Sequence, residues 1–210
     1  MPSKKQNFFV DTNVFIYYIL LKNVLKEIKD LQPLYDKLKP SLDFLELYSK
    51  NQKEVELRTS FMNFCEMPTL LVENLVMGRM YLKQIPFNYL EEYKRDFLKN
   101  TSFKEEVNKV IDEYYEFLKK QNLWFVNGIT ISELPQFKEI DKLRLEFHLP
   151  LSDALIFAIA KDDNLYFVTN DEHHFLGNKS LKRAYGKDIS IISPKKAIEI
   201  VLEIINSNKG

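Results

Sequence analysis

The stretch Asn7-Phe8-Phe9-Val10-Asp11-Thr12-Asn13 decides how the rest of the chain is read. Phe8 to Val10 make a short, continuous apolar run, which suits a strand covered on both faces, as in parallel sheets. It stops abruptly at three polar residues. Residues 123–131 contain a second strand candidate, and residues 165–169 a third that again ends near an acid, Asp171. Residues 189–192 are a fourth, after which Pro194 stands at the first position of a closing helix that runs to Leu202.

The segments between these strands carry helical spacing. Ser102 followed by Glu105 reads as a capping box, and Phe103, Val107, Val110, Ile111, Tyr114, Phe117 and Leu118 recur behind it on one face. Leu90, Tyr93 and Phe97 mark a shorter helix before it. Residues 69–81 and 151–161 are apolar almost all round, as helices packed on a sheet are. Strands alternating with helices predict an α/β protein of three layers, α/β/α, with a mainly parallel central sheet. The charged segments at about 22–60 and 83–120 read as helical insertions at the periphery.

Length and composition agree with this plan. The chain has 210 residues and a mass of 25.0 kDa, the size of one domain carrying insertions. Hydrophobic residues make up 45%, enough for a core, so a disordered chain is excluded. Thirty basic and thirty acidic side chains cancel, which excludes an overall basic coat for nucleic acid but leaves room for a local patch. Cys65 is the single cysteine; it can form no internal disulfide, and it reads as a small core residue. The apolar run at 14–21 is too short to span a membrane, so a cytoplasmic protein with no membrane partner is expected.

In open parallel sheets ligands bind at the carboxyl ends of the strands. Asp11 and Asp171 follow predicted strands. Asp153 stands at the start of the helix Ala154-Leu155-Ile156-Phe157-Ala158-Ile159-Ala160, where Ser152 already offers a cap. Glu73 lies among Leu70, Leu71, Val72, Leu75, Val76 and Met77, and a carboxylate in such company needs a partner. Carboxylates gathered together raise one another's pKa unless a cation joins them. Hard oxygen ligands suit Mg²⁺ or Mn²⁺, so the residues point to metal-assisted phosphoryl transfer.

The stretch Phe9-Val10-Asp11-Thr12-Asn13-Val14, with Leu149-Pro150-Leu151-Ser152-Asp153-Ala154 and Val168-Thr169-Asn170-Asp171 downstream, resembles the PIN domains, the metal-dependent ribonuclease fold of the VapC toxins. Residues 69–78 resemble that family's central acid helix. The resemblance implies that Asp11, Glu73, Asp153 and Asp171 bind the metal and catalyse, with Thr12, Asn13, Thr169 and Asn170 as polar supports. It implies an endoribonuclease that uses Mg²⁺ or Mn²⁺, the toxin of a toxin–antitoxin pair, with RNA as substrate and an antitoxin protein as partner. A housekeeping RNA-processing nuclease and a catalytically silent PIN-like binding module are the alternatives. The chain departs from the pattern where the glycine after Glu73 and the phenylalanine after Asp171 both come late, at Gly78 and Phe175, which leaves Glu66 and Glu172 as substitute acids.

Arg79, Lys83, Lys179, Lys182 and Arg183 are candidate phosphate contacts for the RNA, in balance with a plain solvated basic surface. His173 and His174 read as exposed loop residues. The aromatic stripe of the second insertion suggests a homodimer contact.

Overall fold

The computed structural model describes residues 6–23, 32–120, 124–126, 134–161 and 166–208. Its strands are β1 (Gln6–Val10), β2 (Val55–Ser60), β3 (Trp124–Val126), β4 (Tyr166–Val168) and β5 (Ser190–Ile192). All pair in parallel, in the order β3-β2-β1-β4-β5. The strand candidates of the sequence are thus present, although residues 123 and 127–131 of the second, and residue 165 of the third, lie outside the described residues.

The helices are α1 (Thr12–Asn23), α2 (Gln32–Lys50), α3 (Phe61–Leu82), α4 (Leu90–Lys99), α5 (Thr101–Lys120), α6 (Leu134–Phe147), α7 (Leu151–Lys161), α8 (Lys179–Tyr185) and α9 (Pro194–Ser207). Successive strand residues point to opposite faces, and the two phenylalanines of β1 show what that does here. Phe8 packs on one side with side chains of α1, α2, α3, α5 and α9. Phe9 packs on the other with side chains of α6, α7 and α8. Both rings are fully buried, each worth about 1.5–3 kcal/mol of transfer free energy. The result is a three-layer α/β/α arrangement around an all-parallel sheet.

The charged region at 22–60 is not wholly an insertion of helices. It contains β2, which pairs directly with β1 from Gln6↔Val55 to Phe9↔Arg58. Val55 and Leu57 enter the core on one face of β2, while Glu56 and Arg58 pair with each other at 2.6 Å. Residues 24–31 of that region lie outside the described residues. The region at 83–120 does form helices, but they are only partly peripheral: Phe103, Val107, Val110, Tyr114, Phe117 and Leu118 of α5 are buried. Its cap is Asn100, whose Oδ1 accepts the Phe103 N–H at 3.2 Å, in place of the expected Ser102–Glu105 box. Cys65, expected in the core, is exposed. Among the described residues no helix is long and apolar enough to cross a membrane.

Tyr114 gives a test of this packing. Its ring is buried, edge-on to Phe15 at 5.8 Å, and burial raises its phenol pKa. Its hydroxyl has no hydrogen-bond partner among the described residues. An unpaired buried hydroxyl carries a desolvation penalty with no return. Tyr114→Phe is therefore expected to leave stability unchanged or raise it by up to about 1 kcal/mol, read as the urea midpoint.

Candidate functional site

Because β2 and β4 flank β1 on opposite sides, the chain reverses its direction of travel across the sheet beside β1. A crevice opens at such a switch point, at the carboxyl ends of the strands. Asp11 follows β1 there, and Thr169-Asn170-Asp171 follow β4. Backbone bonds extend the ladder past both strand ends, Asp11 N–H to the Val168 carbonyl at 3.0 Å and Thr169 N–H to the Ile192 carbonyl at 3.1 Å.

Two of the predicted polar supports, Asn13 and Thr169, hold Asp11 through their side chains. Its Oδ1 accepts the Thr12 N–H at 2.7 Å. Its Oδ2 accepts Asn13 Nδ2 and the Thr169 hydroxyl, each at 2.7 Å. Asn13 Oδ1 in turn accepts the Asn170 N–H at 3.0 Å, and Thr169 Oγ1 accepts the Asp171 N–H at 3.0 Å. Asn170 Nδ2 ties the loop to Ser41 of α2 at 2.8 Å. Burial raises the Asp11 pKa to about 7 against the lowering pull of the Thr169 bond, and the charges of Asp153 and Glu66 add to the rise.

The acid that α3 delivers here is Glu66. Ser60 caps α3 by accepting the Asn63 N–H at 3.1 Å, and Asn63 Nδ2 donates to the Val10 carbonyl at 3.2 Å. The first turn of α3 is thereby fixed to the end of β1. Glu66, on the following turn, accepts the Thr12 hydroxyl at 3.2 Å. Glu73 lies about 10 Å further along the helix axis. Its carboxylate meets Lys94 of α4 at 2.6 Å and raises the lysine pKa through that bond. The partner that Glu73 needed is a helix-packing lysine, so the structure corrects the assignment of Glu73 to the site.

Asp153 enters from the first turn of α7, as expected. Its pKa rises to about 6, first through burial; His174 opposes the rise, and Asp171 and Glu66 add to it. Asp171 caps the π-turn Glu172–Leu176, its Oδ1 accepting the His174 N–H at 2.8 Å. That turn explains the late phenylalanine: the wider winding lets Phe175 reach the core while His174 faces the acids. His174 Nδ1 lies 3.0 Å from Asp153 Oδ2 and 2.9 Å from Asp171 Oδ2, so its reading as an exposed loop residue is corrected. His173 is exposed, and so is Glu172, one of the two substitute acids.

Gly177 closes the π-turn, donating its N–H to the Glu172 carbonyl at 2.8 Å. A Cβ at that position would lie 2.5 Å from the Glu172 oxygen. Gly177→Ala is expected to cost about 1–3 kcal/mol, measurable as a lower thermal midpoint.

The basic candidates divide. Arg79 pairs with Glu106 and lies over Phe103 at 5.0 Å, while Lys83 sits over Phe97 at 5.7 Å; both serve the packing of α3 on α4 and α5. Lys179, Lys182 and Arg183 lie on α8, just beyond the π-turn, with Lys179 and Arg183 exposed. Comparison with known proteins finds no matching family model, no matching curated protein and no matching solved structure.

Proposed function

We propose that this chain is a metal-dependent endoribonuclease of PIN-like type, the toxin of a toxin–antitoxin pair. The observation that carries the reading is the convergence of Asp11, Glu66, Asp153 and Asp171 at the switch point, where burial and mutual charge hold two of them above the ordinary carboxylate range. Crowding of acids costs stability in the absence of a cation and makes sense where one is bound.

The donor set suits a hard divalent ion. Asp11 Oδ2 is occupied by two donors, but Oδ1 receives only the Thr12 N–H among the described residues and keeps a lone pair for a cation. Mg²⁺ or Mn²⁺ bound there would activate a water and stabilise charge on the leaving oxygen. Asn13 and Thr169 hold Asp11 in one orientation, and Asp153 and Glu66 lie close enough for their charges to act on it. Lys179, Lys182 and Arg183 would contact phosphates of an RNA crossing the strand ends. The aromatic stripe from Phe103 to Phe117, expected to form a homodimer contact, is buried in the chain's own core and offers no surface to a second copy.

The test is incubation of the purified protein with mixed RNA in Mn²⁺ and in EDTA. Cleavage in Mn²⁺ that EDTA stops is the expected result; intact RNA in both would refute the activity. Growth arrest on expression separates a toxin from a housekeeping nuclease.

A further inference from the structure

We infer that His174 is a ligand of the metal site, joining Asp153 and Asp171 through Nδ1, and that the site consequently takes Mn²⁺ in preference to Mg²⁺. The inference rests on the metal-dependent reading above and adds to it a nitrogen ligand and an ion preference.

The geometry is that of neighbouring corners of one coordination sphere. With metal–ligand bonds of about 2.1 Å in an octahedron, adjacent ligand atoms sit about 3.0 Å apart. The two separations measured from His174 Nδ1 are 3.0 Å to Asp153 and 2.9 Å to Asp171. Ligand atoms of all three residues lie within 4.8 Å of one another.

The imidazole is also held in place from behind. Its own backbone N–H is bound by Asp171 Oδ1, and the next residue, Phe175, packs on Phe167 at 4.8 Å and on Phe157 at 5.8 Å. A side chain positioned by its cap, its turn and its buried neighbour presents Nδ1 to the same point from which both carboxylates are reached.

A nitrogen donor changes which ion the site favours. Mg²⁺ takes oxygen ligands and gives up its water reluctantly, whereas imidazole binds transition ions, Zn²⁺, Cu²⁺, Fe²⁺ and Ni²⁺ most strongly; Mn²⁺, at the weak end of that series, still accepts a nitrogen more readily than Mg²⁺ does. A proton shared by the imidazole and the two carboxylates gives the same distances in the metal-free protein. The two roles separate on selectivity: a histidine that only positions the acids affects both ions alike, and a ligand affects Mn²⁺ far more.

Calorimetric titration of the metal-free protein with MnCl₂ and with MgCl₂ makes the comparison for wild type, His174→Ala and His173→Ala. Wild type is expected to bind Mn²⁺ about tenfold tighter than Mg²⁺ or better. His174→Ala is expected to lose about tenfold or more in Mn²⁺ affinity with less than about threefold change for Mg²⁺. His173→Ala should match wild type. Pulsed electron paramagnetic resonance of the Mn²⁺-loaded wild type needs no variant, and an imidazole nitrogen coupling is the expected signature. Its absence, or an equal loss of both ions in His174→Ala, would overturn the ligand role while leaving a metal site of acids intact. Wild type that binds neither ion would remove the metal-dependent reading itself.

Discussion

Replacing Asp11 with asparagine is expected to abolish metal-dependent cleavage and, in the metal-free protein, to raise stability above neutral pH. The stability effect follows from the direction of its titration. The Asp11 pKa is about 7 in the folded chain against an ordinary value of 3.8, with burial the main cause. Between those values the folded state holds a proton that the unfolded state has released, so stability falls as pH rises from about 4 to about 7 and is level beyond. Asparagine does not titrate. Its advantage over aspartate should be absent below pH 4, grow through that window and reach about 1–3 kcal/mol at pH 8, less than the full shift because the amide accepts fewer hydrogen bonds. That corresponds to roughly 2–10 °C in thermal midpoint for a chain of this size. A thermal scan in EDTA from pH 4 to pH 8 reads it. An advantage that is constant with pH would show that Asp11 is ionised throughout.

The second large effect separates two glutamates on one helix. Glu66→Gln is expected to reduce cleavage by at least about 10²-fold, the scale of losing one preorganised charge beside a reacting centre. Glu73→Gln is expected to leave cleavage near wild type and to lower stability by up to about 1 kcal/mol through loss of the Lys94 pair, which is partly exposed. Rates in saturating Mn²⁺ and urea midpoints of both variants decide it. The reverse pattern would restore Glu73 to the site.

These two residues also show where the sequence was informative and where it was not. The strands β1, β4 and β5 were legible because a strand covered on both faces must be apolar without interruption, as Phe8-Phe9-Val10 is. β2 escaped because Glu56 and Arg58 alternate with Val55 and Leu57 and satisfy each other's charge, so its texture is that of the charged helices around it. Glu73 drew attention as an acid among apolar neighbours, and that reasoning was sound in requiring a partner. It could not tell a lysine from another helix apart from a metal centre. Glu66 sits where the Ser60–Asn63 cap fastens α3 to β1, a contact between residues more than fifty positions apart. Asp11, Asp153 and Asp171 were legible because strand ends and helix starts place side chains predictably. His174 was not, because its direction depends on a π-turn, and no simple periodicity marks one.

The central claim is that the acids at the switch point act together on RNA through a cation. The most direct measurement is the initial rate of RNA cleavage in saturating Mn²⁺ by Asp153→Asn and by wild type, purified side by side and shown by circular dichroism to be equally folded. Asp153 reaches the crevice from α7 on the face of the sheet opposite α1, so its loss tests the assembled site and not Asp11 alone. The expected result is wild-type cleavage that EDTA abolishes and a variant rate lower by at least about 10²-fold. A variant that cuts as fast as wild type would contradict the account.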